Sequence, residues 1–165
     1  MIRIVLSLMF SDKIDLGWDP TVDAKYDGHQ RIFEYEVSGK RFRTGSTDVL
    51  SESKVEGIYT SATRIYKAYH ADEGEGKEPV IIKDFWPGEE CNTEDVMRQM
   101  ILDDISSSSE KEIVRKMTLT PISGGRVKVG DREDHTEGTI LRGEGPRKRY
   151  RVTLPYRRVN NDNNS

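Results

Sequence analysis

The stretch Val80-Ile81-Ile82-Lys83-Asp84-Phe85-Trp86 decides the fold of this chain. Three branched apolar residues in succession are typical of a buried strand, and Lys83 ends the apolar run. A lysine on a buried strand costs free energy unless its ammonium meets an anion. Two kinds of anion can meet Lys83, a glutamate on a neighbouring helix or the phosphates of a nucleotide. The simpler alternative is that the flexible stem of Lys83 carries the ammonium to water.

A second strand is predicted immediately before this one. Residues 63–69 alternate between polar and apolar side chains with the period of a strand. Residues 72–79 are rich in Gly and Glu, which is typical of a solvated hairpin loop. The strand at 63–69 should therefore pair antiparallel with residues 80–83.

Further strands are predicted on either side. Residues 35–37 and 41–44 flank Ser38-Gly39-Lys40, which indicates a β-hairpin with a glycine turn. The remaining predictions from local patterns are a loop at 49–54, a short hairpin at 124–130 and a last strand at 149–154.

A helix is predicted after Trp86-Pro87-Gly88 stops the strand. Asn92 or Thr93 can cap a helix that starts at Glu94 and runs to about Ile105. Its apolar residues are spaced as one face of an amphipathic helix: Val96, Met97, Met100 and Ile101. We therefore expect this face to lie on the sheet, and Glu94 to come near the end of the strand that carries Lys83.

The composition predicts a small hydrophobic core and long polar segments outside it. Of 165 residues, 34% are hydrophobic and 33% are charged, which suggests a compact part of roughly 100 residues. We predict an α+β fold with an antiparallel sheet of about five strands, one packed helix and a disordered C-terminal tail. The predicted divisions are residues 1–105, a polar and partly irregular segment at 106–148, and a basic strand with its tail at 149–165.

Cysteine content and hydropathy predict an intracellular protein, cytoplasmic or nuclear. Cys91 is the one cysteine, so no internal disulfide can form. The apolar run at residues 4–10 is short and no small-residue cleavage site follows it, so we interpret it as a strand or short helix packed on the core. No run approaches the length of a membrane span, and no membrane partner is expected.

Several segments, taken in order, resemble the fungal-type protein kinase family. They are Leu16-Gly17-Trp18-Asp19-Pro20-Thr21, Phe42-Arg43-Thr44, Ser61-Ala62-Thr63-Arg64-Ile65-Tyr66-Lys67-Ala68 and the opening stretch at 80–86. The resemblance covers the N-terminal part of that kinase domain, from about Leu16 to Ile105, and a weaker likeness continues at residues 149–159. It implies a kinase N-lobe and a family activity of phosphoryl transfer from Mg-ATP to Ser or Thr.

The resemblance also implies roles for three residues. Lys83 matches the lysine that anchors the α- and β-phosphates of ATP, and Glu94 is the best match to the helix glutamate that pairs with it. The alternative for Glu94 is a surface carboxylate favoured by the helix dipole. Gly57 is the glycine that remains in the expected nucleotide loop at 57–62, where Thr60-Ser61 replaces the glycine and arginine of the family. An ordinary turn glycine is the alternative there.

The chain departs from the family pattern in its catalytic parts. No H-x-D loop follows the sheet, His29 and His70 lie too early, and no metal-binding D-[FW]-[GD] is present. Residues 131–135 have the right residue types in the wrong order and are interpreted as a solvated polar loop. We therefore expect a truncated N-lobe with no catalytic and no metal residues, inactive alone. ATP binding is expected to be weak or absent in it, and Mg is expected only with a complete kinase domain.

The expected partners follow from that truncation and from charge. An N-lobe alone exposes apolar surface, so we expect self-association, a missing C-lobe or another protein partner. Residues 142–165 carry seven basic and two acidic side chains, so this segment is +5 and the remainder of the −3 chain is −8. The rival hypothesis is a small binding module that uses this basic strand for nucleic acid or an acidic protein. We favour a solvated strand with a charged face, and nucleic acid is not the expected partner.

Overall fold

The computed structural model describes residues 2–14, 16, 18–45, 47–52, 62–72, 78–88, 90–136 and 147–156. These residues contain three helices: α1 (Ile2–Phe10), α2 (Glu94–Asp104) and α3 (Ser108–Met117). They also contain ten strands: β1 (Val22–Asp27), β2 (Gln30–Val37), β3 (Lys40–Gly45), β4 (Val49–Glu52), β5 (Arg64–His70), β6 (Val80–Phe85), β7 (Ser123–Arg126), β8 (Lys128–Val129), β9 (Arg132–Glu133) and β10 (Tyr150–Pro155).

Eight of these strands form one sheet. Its order is β1-β2-β3-β5-β6-β10-β7, with β4 paired to β5, and all the pairings are antiparallel. Strands β8 and β9 form a separate two-stranded ribbon. The predicted α+β fold with an antiparallel sheet is confirmed, although the sheet is larger than the predicted five strands or so.

Strand β6 occupies an inner position in this sheet. It pairs with β5 on one side, where Lys83 lies opposite Ile65, and with β10 on the other, where Lys83 lies opposite Val152. The predicted antiparallel pairing of β5 with β6 is confirmed, and so is a last strand near residue 150. Lys83 therefore lies on an inner strand with a neighbour on each side.

Strand β6 contributes side chains to two hydrophobic clusters because successive residues point to opposite faces. Val80 and Ile82 belong to a cluster with four other buried residues: Tyr35, Val37, Phe42 and Ala68. Phe85 belongs to a second cluster, with Ile81 packed against it, that is otherwise built from β10: Tyr150, Val152 and Leu154. By the same alternation Asp84 shares a face with Val80 and Ile82, whereas Lys83 shares a face with Ile81 and Phe85.

The predicted hairpin between β2 and β3 is confirmed, and its turn is explained by two residues. Val37 pairs with Lys40, so Ser38 and Gly39 are the two turn residues. Both have positive φ, at 50° and 75°. A two-residue hairpin turn with positive φ at both central positions matches the right-handed twist of its strands, and glycine adopts it without steric cost.

Two local predictions differ from the structure. Residues 49–52 form β4 rather than a loop. Strand β3 pairs with only one end of β5, so the backbone N–H and C=O groups at the other end of β5 can hydrogen-bond with β4. Residues 124–130 do not fold back on themselves. Strand β7 instead pairs with β10 and β8 pairs with β9.

The predicted packing of the N-terminal segment on the core is wrong. The segment forms α1, but its described side chains are solvent-exposed, from 45% for Leu6 to 82% for Phe10. Among the described residues no helix has both the length and the apolar character needed to cross a membrane. The predicted C-terminal tail beyond residue 156 lies outside the described residues, and the division of the chain at residues 105 and 148 stays a prediction.

Candidate functional site

Strand β6 and the first turn of α2 meet at Lys83 and Glu94. Helix α2 begins at Glu94, directly after Thr93, as predicted from the sequence. The Lys83 ammonium donates a hydrogen bond to Glu94 Oε1, and the two charges form an ion pair. The predicted contact between Lys83 and Glu94 is thus present, whereas a role in nucleotide binding stays a prediction for both residues.

The exposure of this pair to solvent determines its contribution to folding. The Lys83 side chain is 21% exposed and that of Glu94 is 44% exposed. An ion pair that solvent reaches contributes about 1 kcal/mol or less to folding. The ring of Phe85, with its centroid 4.8 Å from Lys83 Nζ, offers the ammonium a second favourable contact. The pair therefore holds a cation in a defined place, accessible to an anion, and stabilises the fold little.

Helix α2 is rotated about its axis relative to the prediction. Val96, Met97, Met100 and Ile101 are between 43% and 55% exposed, whereas Leu102 is buried. The helix is attached instead through polar side chains on its other side. Arg98, one turn after Glu94, donates to the hydroxyl groups of Thr118 and Thr120 at 3.1 and 3.0 Å. The expectation that the apolar stripe lies on the sheet is therefore wrong, because polar contacts determine which side of the helix faces inward.

A buried cluster of charges lies beside the Lys83 site on the opposite face of β6. Arg149 donates to both carboxylate oxygens of Asp84, with 2.7 Å between Nε and Oδ1, and Arg149 Nη2 lies 2.6 Å from Asp19 Oδ2. Arg151 Nη2 lies 3.0 Å from Asp84 Oδ2 and 3.2 Å from Thr21 Oγ1. We call Asp19, Asp84, Arg149 and Arg151 the arginine–aspartate cluster.

This cluster joins three separate parts of the chain. Asp84 is on β6, the arginines are on and beside β10, and Asp19 precedes β1. Asp84 and Arg151 are each 1% exposed and Arg149 is 5% exposed. The guanidinium of Arg149 also lies over the ring of Trp86, 4.6 Å from its centroid. Buried charges of this kind are tolerated because each is hydrogen-bonded to an opposite charge.

Pairing shifts the pKa of two members of the cluster, Asp19 and Arg149. Burial raises the pKa of Asp19, but Arg149, Thr21 and Arg151 lower it more, so the pKa lies below its ordinary value. Burial lowers the pKa of Arg149, and Asp84 and Asp19 outweigh that effect and raise it. Pairing therefore favours the charged forms of Asp19 and Arg149 at neutral pH.

The structure corrects the prediction of a solvated basic strand at residues 149–154. Two of its basic residues, Arg149 and Arg151, are buried and neutralised by aspartates. Alternation on β10 places Arg149 and Arg151 on the face opposite Tyr150, Val152 and Leu154. That second face is covered, since Arg151 lies 5.0 Å from the centroid of the Tyr35 ring and donates to the backbone oxygen of Glu36. The sequence signal was Asp84 alone, because an acidic residue in an apolar strand requires a nearby cation without specifying which one.

The predicted polar loop at residues 131–135 is also different. Arg132 and Glu133 form β9, and Asp134 Oδ2 lies 3.3 Å from Arg149 Nη1. His135 forms an isolated bridge with Lys148. The segment is therefore partly a strand that contacts the arginine–aspartate cluster through Asp134, whereas Asp131, Arg132 and His135 are exposed to solvent as predicted.

Gly57 lies outside the described residues. In the part of the chain that the structure describes, no three or more His, Cys, Asp or Glu side chains are grouped so that they could hold a metal ion. The mainly antiparallel sheet, with an inner-strand lysine paired to a helix glutamate, defines an α+β fold like the N-lobe of protein kinases.

Comparison with known families agrees with this class. The family model for fungal protein kinases matches residues 1–152. This chain belongs to the fungal protein kinase family, and its kinase-like character is thereby established at the level of the family. No curated protein and no solved structure matches the chain significantly. The family match extends into β10 as far as Val152, so it includes Arg149 and Arg151 as well as the Lys83 site.

Proposed function

We propose that this chain is the ATP-binding N-lobe portion of a fungal-type protein kinase domain. The observation that supports the proposal is the ion pair between Lys83 on the inner strand β6 and Glu94 at the start of α2. Family membership supplies the ligand class, a nucleoside triphosphate. The 21% exposure of Lys83 leaves its ammonium able to meet a phosphate oxygen.

The proposed roles divide between the two residues. Lys83 holds the α- and β-phosphates of ATP as a point charge, and Glu94 keeps the Lys83 side chain from swinging into solvent. For Gly57 we propose the nucleotide-binding role that the family resemblance implies, because a residue without a Cβ lets the backbone approach phosphates. ATP supplies the phosphate anions, and this chain supplies the cation and its orientation.

We propose further that this chain by itself binds ATP without transferring its phosphate. Catalysis in kinases needs an aspartate that accepts the substrate proton and an aspartate that holds Mg²⁺. The sequence has neither motif after the sheet, and the described residues present no cluster suited to a metal. We therefore derive no step through Mg²⁺, which is expected to be held only when a complete kinase domain is present.

The test measures ATP affinity and phosphoryl transfer on the same preparations. Isothermal titration of ATP is compared for the wild-type chain, Lys83→Met and Lys40→Met, the last removing an exposed lysine at the hairpin turn. Loss of a charge-assisted contact should weaken binding about tenfold in Lys83→Met. Lys40→Met should bind as the wild type does. With labelled ATP and a generic protein substrate, transfer should not exceed that of Lys83→Met.

Each contrary result removes a different part of the proposal. If the wild-type chain does not bind ATP, the nucleotide role fails. If Lys83→Met binds ATP as tightly as the wild type, the assignment of Lys83 fails. Turnover that depends on Lys83 would contradict the proposal that this chain is inactive alone.

A further inference from the structure

A hydrogen bond links β10 to the first turn of α2, on the same side of the sheet as Lys83. The hydroxyl of Tyr150 donates to Asp95 Oδ2 at 2.7 Å, across 55 positions of sequence. Tyr150 is 8% exposed and belongs to the cluster that contains Phe85. Asp95 directly follows Glu94, so this bond attaches the helix beside the residue that pairs with Lys83.

The backbone next to Tyr150 leaves room for this hydroxyl. Gly124 on β7 lies against it, and a Cβ at that position would be 3.0 Å from Tyr150 Oη and 3.2 Å from a methyl carbon of Val152. That separation is tighter than an ordinary van der Waals contact. The glycine therefore lets β7 approach β10 without displacing the Tyr150 hydroxyl from Asp95.

The contacts around the site form a closed ring. Phe85 packs edge-on against Tyr150 with 5.9 Å between ring centroids, and Lys83 Nζ lies 4.8 Å from the centroid of Phe85. Lys83 pairs with Glu94, and Glu94 is joined through the backbone to Asp95. Moving any one of these groups changes the space available to the others.

The bond between Tyr150 and Asp95 is one of the specific contacts that attach α2 to the sheet. The apolar stripe of the helix is about half exposed, and the buried residue Leu102 lies two turns after Asp95. At its N-terminal end the helix is attached to the sheet through Glu94 and Asp95, and its next turn is attached through Arg98 to Thr118 and Thr120. Since the pair between Lys83 and Glu94 is partly exposed, it is too weak to hold the helix alone.

We propose that Tyr150 is a positioning residue for Lys83. By hydrogen-bonding Asp95 it holds the first turn of α2 against the sheet, so that Glu94 keeps the Lys83 ammonium where an anionic phosphate meets it. The proposal rests on the proposed function for its ligand, but the bond to Asp95 and its effect on Lys83 are properties of the chain itself. The aromatic ring of Tyr150 is part of the core, whereas the positioning role belongs to its hydroxyl.

The experiment separates the hydroxyl from the ring. Tyr150→Phe keeps the ring and removes the donor, and Tyr26→Phe is the matched control because it removes an exposed hydroxyl on β1. Asp95→Asn is the conservative variant, since the amide oxygen of asparagine can still accept from Tyr150. In the ATP titration, Tyr150→Phe should bind about three- to tenfold more weakly, as expected for one lost hydrogen bond. Tyr26→Phe should be unchanged, and Asp95→Asn should retain most of the affinity.

A second readout does not require nucleotide. The Lys83 ammonium is observed by nitrogen-detected NMR, with its signal assigned from its absence in Lys83→Met. Because an ion-paired ammonium exchanges its hydrogens slowly, the exchange rate should rise several-fold in Glu94→Gln and in Tyr150→Phe, and should not rise in Tyr26→Phe. A purely structural role for the Tyr150 ring would leave the exchange rate of Tyr150→Phe unchanged.

The two readouts distinguish the two proposals. If ATP does not bind to the wild-type chain but Tyr150→Phe frees the Lys83 ammonium, the positioning role stands and the nucleotide role fails. If ATP binds through Lys83 while Tyr150→Phe alters neither affinity nor hydrogen exchange, the positioning role of Tyr150 is overturned and the proposed function stands.

Discussion

Lys83 and Asp84 are adjacent on β6, and the alternation of the strand sends them to opposite faces of the sheet. The Lys83 side chain is partly exposed to solvent and pairs with Glu94. Asp84 is 1% exposed and holds two arginines of the β10 segment. One ion pair is therefore accessible to a ligand, and the other belongs to the interior. Their contributions to stability should differ accordingly, because breaking a buried pair leaves an uncompensated charge.

The first residue-scale prediction concerns Asp84→Asn. Removing this carboxylate leaves Arg149 and Arg151 short of a counter-charge in the interior. We expect the free energy of unfolding to fall by about 3–5 kcal/mol, measured by urea denaturation at neutral pH. Asp72→Asn is the matched control, since it breaks an ion pair with Arg41 in which both side chains are more than half exposed. An equally small change in both variants would show that the arginine–aspartate cluster does not stabilise the fold.

The second residue-scale prediction concerns pH. The pKa of Asp19 is lowered from 3.8 in the folded chain, so the unfolded chain takes up the proton first as pH falls. The stability that Asp19 contributes is therefore complete above about pH 4 and is lost as pH falls through the folded-state pKa. The free energy of unfolding, measured from pH 7 to pH 3, should decline below about pH 4. Asp19→Asn should be less stable at pH 7 and show a shallower decline, and parallel curves for the two proteins would refute this account.

At the scale of elements, α2 shows how polar contacts can override an apolar pattern. The spacing of Val96, Met97, Met100 and Ile101 predicts the inward face of a helix, yet these residues face outward. Glu94 and Asp95 meet side chains of the sheet, Arg98 meets Thr118 and Thr120, and Leu102 is buried on the same side as Asp95 and Arg98. Because each of these contacts has a specific partner, together they determine how the helix is rotated.

Strand β10 shows a different case, in which the residue pattern predicts the strand correctly but not the burial of its arginines. The alternation of residues 149–154 predicts a strand, and the structure has β10 at Tyr150–Pro155. The face of β10 that carries its arginines is covered by other parts of the chain: Arg151 lies over the ring of Tyr35, and Asp19 pairs with both arginines. Without that cover the same strand would expose its arginines to water.

At the scale of the whole molecule, the exposed apolar residues have a consequence for association. The stripe on α2 and the described side chains of α1 are exposed apolar groups on two helices. Exposed apolar patches promote association, and in a purified sample the surface available to cover them is another copy of this chain. We therefore expect the sedimentation coefficient to rise with protein concentration.

A surface variant tests this expectation. The double variant Met97→Glu, Met100→Lys introduces opposite charges on the exposed stripe of α2 without touching its buried side. It should sediment as a monomer across the same concentrations, with a melting temperature close to that of the wild-type chain. A wild-type chain that is a monomer at every concentration, with a sharp two-state melt, would contradict self-association through this face.

The amino-acid sequence by itself determined those features that depend on local pattern. Period-two alternation located β5 and β10, and the run of three branched apolar residues located β6. The Ser38-Gly39 turn located the hairpin, and Thr93 with Glu94 located the start of α2. These predictions succeed because backbone geometry and local hydrogen bonding act over a few residues. The pairing of Lys83 with Glu94 was also predictable, since the two residues are eleven positions apart, with one turn and one helix start between them.

The tertiary structure decided what depends on contacts between distant parts of the chain. Arg149 meets Asp84 across 65 positions, and Tyr150 meets Asp95 across 55. No local pattern predicts which carboxylate will form an ion pair with a buried arginine, because the partner depends on strand order and register. The rotation of α2 depends on the same long-range contacts, whose specific partners outweighed the tendency of an apolar stripe to face the core.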